Sequence, residues 1–164
     1  MNNTDKNLAA AFAGESQANR KYLAFAKQAD NEGHAQAAKL FRAAAEAETI
    51  HALTHLKTMG KIKSTAENLK AAVEGETYEF ETMYPDFIKQ AQEENNTAAV
   101  RTFTLANEAE KVHAELYKKA LASLSSGESY DYYICTICGH IAEKESPEKC
   151  PICGAKSQAY KTIG

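Results

Sequence analysis

No cysteine occurs in the first 134 residues of this 164-residue chain; all four lie between 135 and 153. A secreted disulfide scaffold distributes its cysteines more widely, so this clustering argues against that class and divides the chain into two physically different parts. No apolar run approaches the roughly 18–20 residues that span a bilayer. The start, "MNNTDKNLAA", lacks the basic stretch and apolar core of a signal peptide, so the cytoplasm is the expected compartment. A net charge of −3 gives no electrostatic ground for expecting nucleic acid or an anionic membrane as partner. Turn residues are scarce as well, with Pro85 the single proline before residue 125. The remainder, 44% apolar and 25% charged, is ordinary for a globular chain.

The first 124 residues are rich in strong helix formers and read as four helices, at about 4–31, 34–59, 65–94 and 97–123. Gly33 can take the left-handed cap conformation after the first, and the second stops at Gly60. Ser64-x-x-Glu67 is a capping box opening the third, and Asn95, Asn96 and Thr97 break it from the fourth. Pro85 is expected to kink the third helix or remove one of its hydrogen bonds. "SLSSGES" (123–129) is a flexible stretch, which places a helical domain at 1–124, a linker at 125–129 and a second domain at 130–164. The tail is too small to fold by apolar burial alone, so a metal is expected to hold it.

The helical part carries acids and histidines at one level. "ETIH" sets Glu48 and His51 one turn apart on the same face, and "EKVH" repeats this with Glu110 and His113. Glu15 lies 18 residues before Gly33 and Glu48 lies 15 after it, so an antiparallel hairpin brings them opposite each other. The 95/96 turn does the same for Glu76 and Glu79 against Glu110 and His113. One Glu from each of two helices plus Glu-x-x-His from each of the other two is the pattern of a two-metal carboxylate site in a helix bundle. Such oxygen-rich ligation with some imidazole suits iron or manganese. Glu79 is an additional acid. Tyr22 and Tyr84 sit where they either hydrogen-bond the carboxylates or serve as core tyrosines. His34 and His55 have no Glu three residues upstream and are read as structural, and His140 is expected to be exposed.

"CTIC" (135–138) and "CPIC" (150–153), each followed by Gly, form C-x2-C-x11-C-x2-C. Two such knuckles close a tetrahedral four-thiolate site through Cys135, Cys138, Cys150 and Cys153. Either zinc or iron fits that ligation.

Taken together, "GESQANRKY" (14–22), "ETIH", "EGETYEFETMYP" (74–85), "EAEKVH" (108–113) and "YYICTICGH…CPICGA" resemble the rubrerythrin family over nearly the whole chain. The resemblance implies a mainly α protein: a ferritin-like di-iron four-helix bundle followed by a small rubredoxin-like four-cysteine module with short β-strands. It implies iron ligation by Glu15, Glu48, His51, Glu76, Glu79, Glu110 and His113, with a third iron on the four cysteines and zinc as a possible substitute there. It also gives weight to Tyr22 and Tyr84 as supporting groups. The implied activity is reduction of hydrogen peroxide to water in oxidative-stress defence. Electrons would come from NAD(P)H through separate carriers, such as rubredoxin or an NAD(P)H-dependent reductase. Glu48 is implied to bridge the metals throughout, while one iron is held by Glu79 when oxidised and by His51 when reduced.

One departure concerns assembly. Family members with a long crossover can run helices two and three parallel, but only about five residues, 60–64, join them here. At 1.5 Å per residue the return path is about 33 Å, against about 17 Å of reach. Either the topology is plain up-down-up-down, or helices one and two pair with three and four of a second chain. The swapped homodimer preserves the family's site and is the arrangement expected. The rival functions are a ferritin-like ferroxidase or storage protein with a zinc-ribbon tail, and a zinc-ribbon interaction protein. The thiolate module weighs against the first, and the complete ligand set against the second.

Overall fold

The computed structural model describes residues 2–164. The chain forms α1 (Asn3–Asn31), α2 (Ala35–Thr58), α3 (Thr65–Tyr78), a π-helical segment (Glu79–Met83), α4 (Tyr84–Glu93) and α5 (Thr97–Ala122). Three strands follow, β1 (Tyr132–Cys135), β2 (Ile141–Glu143) and β3 (Tyr160–Ile163), in the antiparallel order β2-β1-β3. The chain divides into two compact units, one ending at Lys63 and one covering Ser64–Gly164.

The first unit is the α1–α2 hairpin. Asn2 opens it with a capping box closed by Asp5, so two otherwise unpaired backbone donors are satisfied. At the turn, Gly33 takes φ +79° and the His34 N–H donates to the Ala29 carbonyl. That six-to-one bond satisfies a terminal carbonyl and needs the left-handed residue that glycine supplies. The buried side chains are small: Ala26, Ala29, Ala38, Ala45 and Ala52. Asn19 is buried among them and ties the helices together through its Nδ2, which donates to the Ala45 carbonyl and the Thr49 hydroxyl at 2.7 and 2.8 Å.

The second unit pairs α3 and α4 with α5 and carries the sheet at its C-terminal end. Ser64 and Glu67 form the capping box expected of them. The expected single helix over 65–94 is instead two α-helices separated by a five-residue π segment, with Pro85 in the first turn of α4. Proline lacks the N–H that an uninterrupted α-helix requires and clashes with the preceding turn. The wider π turn, with the Tyr84 N–H donating to the Glu79 carbonyl, holds one more residue before α4 resumes.

The two hairpins repeat each other. Tyr22 and Tyr84, Phe25 and Phe87, Phe41 and Phe103, Glu48 and Glu110, and His51 and His113 are each 62 positions apart, whereas Glu15 and Glu76 are 61 apart. The π segment falls between Glu76 and Tyr84 and accounts for the extra residue. The aromatic trios match in geometry too. Phe25 and Phe41 lie 5.6 Å apart, as do Phe87 and Phe103.

Candidate metal centres

Each hairpin assembles one triad. In the first unit Glu15, Glu48 and His51 place ligand atoms within 4.8 Å of one another; in the second Glu76, Glu110 and His113 do the same. The i, i+3 spacing puts each histidine over its glutamate, with Nδ1 of His51 2.9 Å from Glu48 and Nδ1 of His113 2.6 Å from Glu110. The two histidines differ in their second nitrogen. His113 donates from Nε2 to the Gly139 carbonyl at 2.9 Å, whereas the His51 ring has no second partner among the described residues and is more than half exposed. A carbonyl on the far nitrogen orients the ring and leaves Nδ1 turned toward Glu110, where a metal would take the place of the proton they share.

The charge distribution of the second triad fits a cation. Burial, and then the hydrogen bond and charge of Glu110, push Glu76 up to about 7. Glu110 is held below the ordinary carboxylate value, its hydrogen bond from His113 outweighing burial. Burial opposes charge on His113, but Glu110 and the Gly139 carbonyl prevail and raise its pKa. Without a metal, therefore, Glu76 and His113 hold their protons more tightly than they would in water. Glu79, on the π segment, lies outside the triad but is near enough that burial and the charge of Glu110 raise its pKa. Asn107, one turn before Glu110, has a buried side-chain oxygen with no hydrogen-bond partner among the described residues.

Tyr22 and Tyr84 occupy equivalent places, each within 6.3 Å of two phenylalanine rings. Burial and the carboxylates Glu110, Glu79 and Glu76 raise the pKa of Tyr84. Tyr117 has a similar position that sequence reasoning overlooked: burial and the charges of Glu76 and Glu110 raise its pKa. Its place four residues after His113 on the same helix was the available signal.

The third cluster is Cys135, Cys138, Cys150 and Cys153, all free thiols. Cys135 and Cys153 sulfurs are 3.7 Å apart and Cys138 and Cys150 sulfurs 3.5 Å. A tetrahedral metal with bonds of about 2.3 Å sets its sulfurs about 3.8 Å apart, so the spacing fits a four-thiolate ion and not a disulfide. Gly139 and Gly154, at φ +81° and +75°, turn their amides back onto the Cys135 and Cys150 carbonyls. At Cys150, hydrogen bonds from backbone amides and the Tyr160 hydroxyl outweigh burial and lower the thiol pKa. His140, expected to be exposed, is buried, with its Nδ1 2.8 Å from the Tyr160 hydroxyl. The strand pairing of β1 with β3 brings Tyr160 over it, a contact that no local pattern encodes.

A family model described as Rubrerythrin matches residues 6–121, and one described as Rubrerythrin, rubredoxin-like domain matches residues 133–161. Nigerythrin of Nitratidesulfovibrio vulgaris is 44% identical, over 93% of this chain and 83% of its own. Rubrerythrin-2 of Clostridium acetobutylicum is 33% identical, over 95% of this chain and 94% of its own. A solved structure described as the fully reduced, all-ferrous state of nigerythrin aligns with a TM-score of 0.61 at 39% identity, covering 99% of this chain and 88% of that one. With carboxylate–histidine triads on both hairpins and a four-cysteine module behind them, the chain belongs to the rubrerythrin family.

Proposed function

We propose that the protein reduces hydrogen peroxide to water at a di-iron site built from both triads, with electrons entering through iron on the four cysteines. The observation that carries this reading is the seating of the four-cysteine module on His113, because storage or ferroxidase chemistry has no use for a one-electron centre in contact with a ligand. When bound, a pair of ferrous ions supplies the two electrons that cleave the peroxide bond. The chain's own residues do the rest. Glu15, Glu48, Glu76 and Glu110 hold the metals, with Glu48 and Glu110 oriented by His51 and His113. Glu79 would serve one metal in its ferric state and the exposed His51 in its ferrous state, since a hard carboxylate suits the ferric and a neutral imidazole the ferrous ion. Tyr84 and Tyr117 lie near enough to the second triad's carboxylates to screen it, and Tyr22 takes in the first hairpin the place that Tyr84 has in the second.

The assembly follows from the connector. Only residues 59–64 separate α2 from α3, a reach of about 25 Å at most. A parallel α2 and α3 with Glu48 level with Glu76 requires a return of about 30 Å. Pairing of each hairpin with the complementary hairpin of a second copy removes this conflict and gives a homodimer with two di-iron sites. The supporting observation is the set of large apolar side chains left exposed on the first unit, among them Phe25, Leu40, Ile50 and Leu53. The electron donor is of the rubredoxin or NAD(P)H-dependent reductase class, and the working compartment the cytoplasm. Among the described residues no helix is long and apolar enough to cross a membrane.

Anaerobically purified protein should hold about three irons per chain. One equivalent of peroxide should oxidise the di-iron pair with water as product. Zinc on the cysteines without bundle iron overturns the proposal in favour of a zinc-ribbon interaction protein, and iron uptake into a mineral core overturns it in favour of the storage reading.

A further inference from the structure

The four-cysteine module meets α5 at two points. At one, the Gly139 carbonyl accepts from His113. At the other, six residues along the helix, Lys119 donates from Nζ to Glu143 at the end of β2. Glu143 also accepts from the Tyr130 hydroxyl, and the Tyr130 ring lies beneath Lys144 and Lys119, 5.0 and 5.9 Å from their ammonium groups. Lys144 holds φ +70°, a conformation that a non-glycine residue keeps when its surroundings demand it, and it is paired in turn with Glu128. Between the two points lies an apolar cleft of about 340 Å³, bordered by Leu116, Tyr117 and Ala120 on one side and Tyr132, Ile134 and Ile141 on the other. An incompletely filled apolar cleft holds two bodies together without fixing their register, because dispersion is weak and non-directional across a gap. The polar group at Glu143 is what sets the register.

We propose that Lys119, Glu143 and Tyr130 form a latch that positions the four-cysteine module on α5 so that Gly139 stays seated on His113. They are positioning residues and touch no metal ligand. In the redox arm this rests on the proposed function. One electron leaves the four-cysteine iron, which passes from ferrous to ferric, and reduces one ferric iron of the bundle to ferrous. A protein donor of the rubredoxin or reductase class then restores the four-cysteine iron. The contact selects the His113 side, and not the His51 side, as the point of entry.

The test uses the full metal-loaded chain with Lys119→Glu, Glu143→Lys and the double reversal. Bound metal is measured first. Tumbling of the module relative to the helices is then read by NMR relaxation of the zinc-loaded protein. Loss of the electron from the reduced four-cysteine iron after peroxide addition is followed by stopped flow. Each single reversal is expected to free the module and slow electron loss about tenfold, and the double reversal to restore both with metal content unchanged. The unmutated protein in about 1 M salt, where screening shortens to about 3 Å, should show the same freeing without any substitution. Unchanged tumbling in both the single variants and high salt overturns the latch. A freed module with unaltered electron loss overturns its positioning role. If the bundle metals of the unmutated protein do not react with peroxide, the proposed function fails, while the tumbling measurements still decide the latch.

Discussion

Glu76 shows how a single side chain reports the chemistry of its site. Burial and the neighbouring Glu110 raise its pKa from the ordinary 4.5 to about 7. A carboxyl whose folded value is raised contributes stability that is present below the unfolded value and lost as pH rises through the folded one. His113, also raised, acts in the same direction. With the bundle emptied and zinc kept on the cysteines, the melting temperature of Glu76→Gln relative to the unmutated chain should therefore rise between pH 5.5 and pH 8, as thermal unfolding followed by circular dichroism would show. Metal loading between these pH values should release protons, because a cation replaces them. At the other centre, Cys138→Ser removes one of four thiolates. Iron there should fall to a small fraction of one per chain, with the bundle metals retained. Metal analysis alongside the visible absorption of the thiolate iron checks this.

At the scale of elements, the two hairpins share one design with one deviation. Both combine a left-handed cap, at Gly33 and Asn95, with an aromatic trio and a Glu-x-x-His pair. The π segment is absent from the first and present in the second, where it sets Glu79 beside the charge of Glu110. The second hairpin thus has an acid where the first has Gln17 or Ala18. The start of α3 rests on the Ser64–Glu67 box, so Ser64→Ala should cost about 1 kcal/mol. For a chain of this size that corresponds to a melting temperature lower by about 2–4 °C. A calorimetric scan with unchanged midpoint would show that the connector and not the cap starts this helix.

At the scale of the whole molecule, the helices and the three-stranded region differ in what can hold them. The helices bury small side chains and repeat a hairpin, whereas the strand region buries little beyond Cys135, Cys150 and His140, too little to fold without a metal. Chelation should therefore unfold the three strands and leave α1–α5 in place, a separation that amide NMR signals of the two regions would reveal. A chain that unfolds everywhere at once on chelation would show that the module's metal also stabilises the helices. The proposed swap predicts a dimer that persists on dilution to nanomolar concentration. An intact di-iron site in a monomer, established by sedimentation and metal content together, would refute it.

Legible in the sequence were the helices other than the interrupted 65–94 stretch, the Ser64–Glu67 box, the Glu-x-x-His pairs and the cysteine knuckles. All of these are set by residues within a few positions of one another, where helix and turn periodicity act directly. It also carried the family, because motifs of that kind are local. Tertiary structure alone decided the burial of His140 beneath Tyr160, the seating of Gly139 on His113 and the pairing of Lys119 with Glu143. These join residues 20 to 26 positions apart, across elements whose approach depends on packing and strand order. The π segment falls between the two cases. Pro85 announced a disturbance in the helix, but that it widens into a π turn over Glu79–Met83 shows only in the folded backbone.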